Sequence, residues 1–103
     1  NILSCAGLEL DLERKQVTRD SRVIHLGPTE FRLLEHFLRN QRRVFSRSQL
    51  LNAVWGHDVF VELRTVDVHI RRLRKALNID GKPDLIRTVR SMGYSLECST
   101  DLS

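Results

Sequence analysis

The sequence predicts an α+β domain in which short strands come first, three helices follow and a β-hairpin ends the chain. Leu8, Leu10 and Leu12 alternate with acidic residues, which is the two-residue period of a half-buried strand. Apolar residues then recur at helical spacing between Pro28 and Leu77, and strand-forming runs return near the C-terminus. With 103 residues, 41% of them hydrophobic and 29% charged, the chain is long enough for one domain with a buried core.

The N-terminal strands lead directly into the first helix. Residues 15–19 and 23–26 predict two further strands of an antiparallel meander. Gly27 and Pro28 then predict a helix start, because glycine is accepted at the N-cap and proline suits the first helical position. This helix is expected to reach about Asn40, and its broad apolar stripe consists of Phe31, Leu33, Leu34, Phe37 and Leu38.

Two more helices follow, and each has a recognisable boundary. The segment from Ser46 to Gln49 is a capping box, in which the serine hydroxyl accepts from the glutamine amide and the glutamine side chain returns to the serine. The second helix is expected to end at Gly56. After a linker, the third and strongest helix runs from about Glu62 to Leu77.

The third helix has an excess of positive charge, with five cations and two anions between Glu62 and Leu77. At about 100° per residue, its core arc consists of Val66, Ile70, Leu73 and Leu77. Its opposite face consists of Arg64, Val68, Arg71, Arg72 and Lys75, with Thr65 at the margin. A solvated structural helix also has a charged outer face, but the acids that would pair with these cations one turn away are few. The helix therefore favours a polyanionic partner.

Two further residues of this helix favour double-stranded DNA. Val68 stands among arginines, where it can touch a thymine methyl group in a major groove. Asp67 can accept from a cytosine amino group or orient an arginine. The simpler alternative is that Asp67 is a charge partner of Arg64 or Arg71.

The second and third helices together predict a helix-turn-helix. Their linker, residues 57–61, is longer than such a turn needs, which indicates a function of its own. Residues 86–89 and 94–96 predict a terminal hairpin with Arg90 near its tip, where an arginine can enter a narrow minor groove, although exposed hairpin arginines are usually inert. A helix-turn-helix followed by this hairpin is a winged helix-turn-helix.

Composition adds expectations about the setting of the domain. The net charge is +4 and the sequence pI about 9.7. No apolar run approaches the roughly 18 residues that span a bilayer, and no secretion signal is recognisable. Because the first residue is Asn1, we expect the chain to be one piece of a longer protein. Cys5 and Cys98 are expected to be reduced thiols in a cytoplasmic protein, although adjoining terminal strands would make them neighbours.

Two other functional classes are less favoured. A winged helix that binds only protein would have an apolar rather than a cationic outer face on its third helix. An enzyme would need a constellation of catalytic residues, yet the histidines lack metal-ligand spacing and stand scattered at His25, His36, His57 and His69. We therefore expect no metal, no cofactor and no catalysis.

Five segments closely resemble the OmpR/PhoB family of response-regulator effector domains, and most of all its PhoB-like branch, the regulators of phosphate regulons. They are LGPTEFRLL (26–34), SRSQLL (46–51), VWG (54–56), RTVDVHIRRLRK (64–75) and RTVRSMGY (87–94). The resemblance extends from about Gly7 to Leu96. It implies a four-stranded N-terminal antiparallel sheet, three helices and a C-terminal wing, with an upstream receiver domain that a histidine kinase phosphorylates. It also implies head-to-tail binding to direct DNA repeats and contact with an RNA polymerase sigma factor.

The resemblance further implies roles for individual residues. Base contacts would be made by Thr65, Asp67, Val68 and Arg72 in the major groove and by Arg90 in the minor groove. Phosphates would be held by Arg47, Trp55, Arg64, His69, Arg71, Arg74 and Thr88. The polymerase would meet a loop formed by Trp55, Gly56, His57, Asp58, Val59, Phe60 and Val61.

The chain departs from the family pattern at two places. Leu63 stands where PhoB-like members have an acid, which bears on the sigma contact. Ser91 and Met92 replace a more glycine-rich wing turn, which bears on the reach of Arg90. Because the sequence has no heptads and the apolar stripes of all three helices are needed for one core, we expect the isolated domain to be a monomer.

Overall fold

The computed structural model describes residues 1–56, 60–79, 81 and 83–98. Its elements are β1 (Ile2–Cys5), β2 (Leu8–Asp11), β3 (Gln16–Arg19), β4 (Arg22–Ile24), α1 (Pro28–Arg39), α2 (Arg47–Val54), α3 (Leu63–Leu77), β5 (Ile86–Val89) and β6 (Gly93–Leu96). Strands β1 to β4 form an antiparallel sheet in sequence order, and β5 pairs with β6 as a separate hairpin. The predicted α+β winged helix-turn-helix is confirmed.

The helix starts follow from local chemistry. Gly27 is the extended N-cap of α1, and Pro28 occupies its first turn. In α2, the Gln49 amide donates to the Ser46 hydroxyl over 3.1 Å and the Ser46 amide donates to the Gln49 side chain over 2.8 Å, so the predicted capping box is confirmed. Helix α3 begins one residue later than expected, because Glu62 remains extended as its N-cap.

One hydrophobic core joins the N-terminal sheet, the three helices and the hairpin. The predicted core arc of α3 is buried, with Val66, Ile70, Leu73 and Leu77 each at most 1% exposed. Leu8 and Leu10 contribute the inner face of β2, as their alternation predicted. Because α3 packs against both α1 and α2, its core face is fully used and its opposite face is left to solvent.

The hairpin is joined to the segment between α1 and α2. Phe45 and Tyr94 exchange two backbone hydrogen bonds, of 2.8 and 2.9 Å, in an isolated antiparallel bridge. Gly93 has a φ of +139°, and a Cβ atom there would collide with the Phe45 carbonyl. Only glycine therefore allows the wing to approach the start of α2 this closely.

A buried arginine connects the sheet to the end of α3. Arg19 of β3 is 3% exposed. Its guanidinium donates to the Leu77 carbonyl over 2.6 Å and to the Pro83 carbonyl over 2.8 Å. The first of these carbonyls belongs to the last residue of α3, which has no partner within the helix. Arg19 therefore acts as a C-terminal cap from a distant strand.

The two cysteines are joined in a disulfide between β1 and the residue two positions beyond β6. The expectation of two reduced thiols is therefore wrong. Both chain ends pack beside the C-terminal end of α1: the Gln41 side chain donates to the Ser4 carbonyl, and the Arg42 amide donates to the Leu96 carbonyl. This shared neighbour brings the Cα atoms of Cys5 and Cys98 to 5.7 Å.

Candidate nucleic-acid interface

The outer face of α3 presents its cations to solvent. Arg71, Arg72 and Lys75 are exposed, and none of the three has a hydrogen bond or ion pair with another described residue. Arg64 pairs with Glu62 over 2.6 Å, but both side chains are largely exposed, so a phosphate can replace the carboxylate at little cost. Val68, with Thr65 one turn before it, is partly exposed. The face thus offers arginines around an accessible apolar group.

Asp67 is fixed between two other elements. Its Oδ1 accepts from the Tyr94 hydroxyl of β6 over 2.6 Å, and its Oδ2 accepts from Arg47 of α2 over 3.2 Å. The alternative that Asp67 is a charge partner of Arg64 or Arg71 is therefore wrong. Burial raises the pKa of the Tyr94 hydroxyl, and the hydrogen bond to Asp67 raises it further, so the hydroxyl stays a donor at neutral pH. Asp67 connects α3 to both the wing and the start of α2.

Arg74 connects α3 to the wing two turns beyond Asp67. It donates to the Ile86 carbonyl over 2.9 Å and to the Thr88 hydroxyl over 2.5 Å, and it lies 3.5 Å from the Asp84 carboxylate. Its guanidinium also lies over the Tyr94 ring, 5.5 Å from the centroid. Within the described chain these contacts use Nε and Nη2 and leave Nη1 for a phosphate.

The opposite flank of α3 holds His69. Its Nδ1 lies 2.6 Å from a Glu30 carboxylate oxygen in α1. The Trp55 ring, at the end of α2, lies 5.4 Å from the imidazole at an interplanar angle of 60°. The structure thus brings together two predicted phosphate ligands, Trp55 and His69, on one side of the helix.

A groove of about 410 Å³ lies between the start of α2, the first half of α3 and the wing. It brings together predicted site residues from all three elements, and its lining includes Arg47, Asp67, Thr88, Met92 and Tyr94. Ser46 and Ser48, at the N-terminus of α2, lie at its rim, where the helix dipole is positive. The groove is open to solvent and has polar groups on its walls, which a nucleic-acid backbone can contact.

The remaining predicted residues lie at the wing and in the linker. Arg90, at the wing tip, is exposed and makes no hydrogen bond or ion pair with the rest of the described chain. In the predicted polymerase loop, Phe60 is fully exposed, whereas Gly56 and Val61 are partly buried. The other predicted loop residues, His57, Asp58 and Val59, lie outside the described residues.

Sequence reasoning missed two residues of this site, Glu30 and Tyr94. Glu30 is an acid that the apolar stripe of α1 carries into the core, and it is only 7% exposed. A buried acid needs a charged or hydrogen-bonding partner, so an acid within the apolar stripe of α1 indicates a polar contact in the core. Tyr94 offered a similar signal, since a half-buried hydroxyl in a strand also needs a partner.

Neither a metal centre nor a membrane span is found in the described part of the chain. Residues 1–56, 60–79, 81 and 83–98 contain no group of three or more histidine, cysteine or acidic side chains that could hold a metal ion. No helix among them is long and apolar enough to cross a bilayer.

Comparison with known proteins agrees with this geometry. The family described as "Transcriptional regulatory protein, C terminal" matches residues 21–96. The "Phosphate regulon transcriptional regulatory protein PhoB" of Rhizobium meliloti is 62% identical over 96 residues, which cover 93% of this chain and 42% of that protein. The protein of the same name from Escherichia coli is 50% identical over 93 residues, with coverages of 90% and 41%. The solved "RstA DNA-binding domain in complex with RstA box" of Klebsiella pneumoniae has a TM-score of 0.82 at 29% identity, with coverages of 96% and 99%.

The fold and the cationic helix define a winged-helix DNA-binding domain. The chain belongs to the OmpR/PhoB family, as one of its C-terminal domains that control transcription. It spans about two fifths of the length of the curated relatives it matches.

Proposed function

We propose that this domain recognises a specific double-stranded DNA sequence by inserting α3 into the major groove. The observation that carries the proposal is the exposed face of Arg71, Arg72 and Lys75, whose donors have no partner within the described chain. Burying so many uncompensated guanidinium and ammonium groups against protein would be costly, whereas phosphates and guanine edges satisfy them. We therefore favour DNA over a protein-only partner, and we expect no enzymatic activity.

The proposed contacts divide into base and phosphate contacts. Thr65, Asp67, Val68 and Arg72 read bases in the major groove, and Arg90 enters the minor groove. Both oxygens of Asp67 already accept a hydrogen bond, so a cytosine amino group would use a remaining lone pair. The phosphate contacts come from Arg47, Trp55, Arg64, His69, Arg71, Arg74 and Thr88.

The whole protein is proposed to be a bacterial two-component response regulator in the cytoplasm. Its receiver domain would precede this one and accept a phosphoryl group from a histidine kinase. The similarity to PhoB proteins, which are named as phosphate-regulon regulators, favours control of a phosphate regulon. Activation would proceed through the sigma factor of RNA polymerase, which the loop Trp55–Val61 would contact. Phe60 supports this role, since it is a fully exposed aromatic residue three positions before the start of α3.

Two copies are proposed to bind direct repeats head-to-tail, although the isolated domain is a monomer. Tandem sites about one helical turn, or ~10–10.5 base pairs, apart would place both copies on the same side of the duplex. The sheet of one copy would then meet the wing of the next in a contact that does not close on itself.

Binding selection from random duplex DNA tests the proposal, and two neighbouring arginines provide a matched comparison. Arg72→Ala is expected to cost about 1–3 kcal/mol and to remove the preference at one base position. Arg71→Ala is expected to weaken all sequences equally and to reduce the salt slope of log K by about 0.9. Failure to enrich any sequence, together with a salt slope shallower than about −2, would instead favour a protein partner.

A further inference from the structure

A buried acid meets a histidine where α1 passes α3. Nδ1 of His69 lies 2.6 Å from Oε2 of Glu30, and their side chains are 18% and 10% exposed. Glu30 lies in the first turn of α1, where the helix dipole favours a negative charge. The glycine N-cap leaves room for this carboxylate, since a Cβ atom at Gly27 would lie 2.7 Å from Oε1 of Glu30. The start of α1 is thus shaped to hold an acid against α3.

The second nitrogen of the imidazole remains open to solvent. Nε2 of His69 has no hydrogen bond with any described residue, and it is not among the fully buried polar atoms that lack a partner. At the C-terminal end of α2, the ring against the imidazole is that of Trp55, which does not titrate. On α3 itself the residues one turn away are Thr65, Val66, Arg72 and Leu73, of which only Arg72 is charged. Glu30 is therefore the acid that sets the orientation of the imidazole.

The protonation chemistry of imidazole determines what this arrangement can bind. A neutral ring has one N–H, and when Nδ1–H is donated to Glu30, Nε2 carries a lone pair that repels a phosphate oxygen. Only the imidazolium donates from both nitrogens. We propose that Glu30 is a positioning residue for DNA binding, which accepts from Nδ1–H of His69 and so directs the imidazolium to donate its Nε2–H to a DNA phosphate. This inference rests on the proposed function, because the phosphate contact of His69 is part of it.

A proton is then taken up on binding wherever the free ring is neutral, so affinity rises as the pH falls. The test is the dissociation constant for the selected duplex, measured between about pH 6 and 8.5 at several salt concentrations. Glu30→Gln keeps the shape of the side chain and removes its charge. We expect it to weaken binding about fivefold near pH 7.5, because one charged phosphate contact is lost. For the same reason, the slope of log K against log salt should become shallower there by about 0.9. Both effects should become smaller as the pH falls, because a higher proton concentration favours the imidazolium in both proteins.

Two further variants, His69→Gln and Glu35→Gln, serve as comparisons for Glu30→Gln. His69→Gln should lose the pH-dependent part of the affinity, even if Glu30→Gln fails to fold. Glu35→Gln removes an acid from the same helix that pairs with Arg39 near the surface, and it should change neither profile. The inference would be overturned if the affinity of Glu30→Gln depended on pH and salt as it does in the unmodified domain. It would also be overturned if Glu30→Gln lost the same factor in affinity at every pH without a change of salt slope. An unmodified domain without salt-dependent DNA binding would instead overturn the proposed function.

Discussion

The contact between Asp67 and Tyr94 allows a quantitative test of how α3 is held. The hydroxyl donates to a carboxylate over 2.6 Å at a half-buried position, and such charge-assisted hydrogen bonds contribute about 1.5–3 kcal/mol. The Arg47 contact to the same carboxylate spans 3.2 Å, with side chains 47% and 33% exposed, so solvent screening limits it to below about 1 kcal/mol. The structure therefore predicts that Tyr94 is the stronger partner.

Double-mutant cycles separate the two partners. The change in unfolding free energy on Asp67→Ala alone underestimates the energy of the lost contacts. Alanine has a higher helix propensity than aspartate, and this offsets the loss by several tenths of a kcal/mol. This intrinsic term cancels in the cycles with Tyr94→Phe and Arg47→Ala. Urea unfolding followed by circular dichroism should give coupling energies of about 1.5–3 kcal/mol for Tyr94 and below about 1 kcal/mol for Arg47. A Tyr94 coupling below about 0.5 kcal/mol, or a larger coupling for Arg47, would refute the reasoning.

The Asp67→Ala variant also distinguishes two possible roles of Asp67 in DNA binding. If Asp67 only holds the wing and Arg47 in place, Asp67→Ala weakens every sequence and leaves each base preference intact. If it accepts from a cytosine, the preference at one base position is lost. Competition among duplexes that differ at single base pairs distinguishes these outcomes.

Three further predictions concern stability and one concerns assembly. Burial lowers the pKa of His36, and the Arg43 charge lowers it further, so the unfolded chain binds the proton more tightly. The stability that depends on neutral His36 is therefore fully present above the unfolded pKa of 6.5 and is lost as the pH falls below it. Between about pH 7 and 5, the free energy of unfolding should decrease less in His36→Gln than in the unmodified domain. Cys5→Ser should cost about 2–4 kcal/mol under oxidising conditions and nothing in reductant, and titration of the native domain should find no free thiol. Arg19→Met removes the donor to the Pro83 carbonyl and leaves the Leu77 carbonyl with the Ile79 amide alone, and it should cost about 1–3 kcal/mol in urea unfolding. Inserting half a helical turn between two DNA repeats should weaken the second copy, and unchanged binding would exclude head-to-tail contact.

Features set by local chemistry could be predicted from the sequence. The capping box at Ser46 and the glycine–proline start of α1 depend on residues within one turn, and both are present. The core arc of α3 depends only on helical periodicity and is likewise confirmed. The bounds of strand β1 were not predicted, since the residue types of ILSC do not alternate between apolar and polar although their burial does.

The side-chain pairs that hold the site in place were beyond sequence reasoning. Asp67 is 27 residues from Tyr94, and Glu30 is 39 residues from His69. Which of several arginines meets a given acid is set by how the helices cross, not by spacing along the chain. The same reason explains why the charge-partner alternative for Asp67 named Arg64 and Arg71, which are on its own helix, and not Arg47 of α2.

The charged residues of α3 divide into two groups with different consequences for recognition. Asp67 and Arg74 attach one flank of the helix to the wing, and His69 attaches the other flank to α1. Two polar attachments on opposite sides resist rotation of α3 about its own axis, which apolar packing alone permits more readily because it is not directional. Arg71 and Arg72 therefore have a fixed direction relative to the wing. Losing one outer cation is therefore expected to remove only the contact that it makes, whereas losing a flanking contact is expected to weaken the contacts of the whole outer face together.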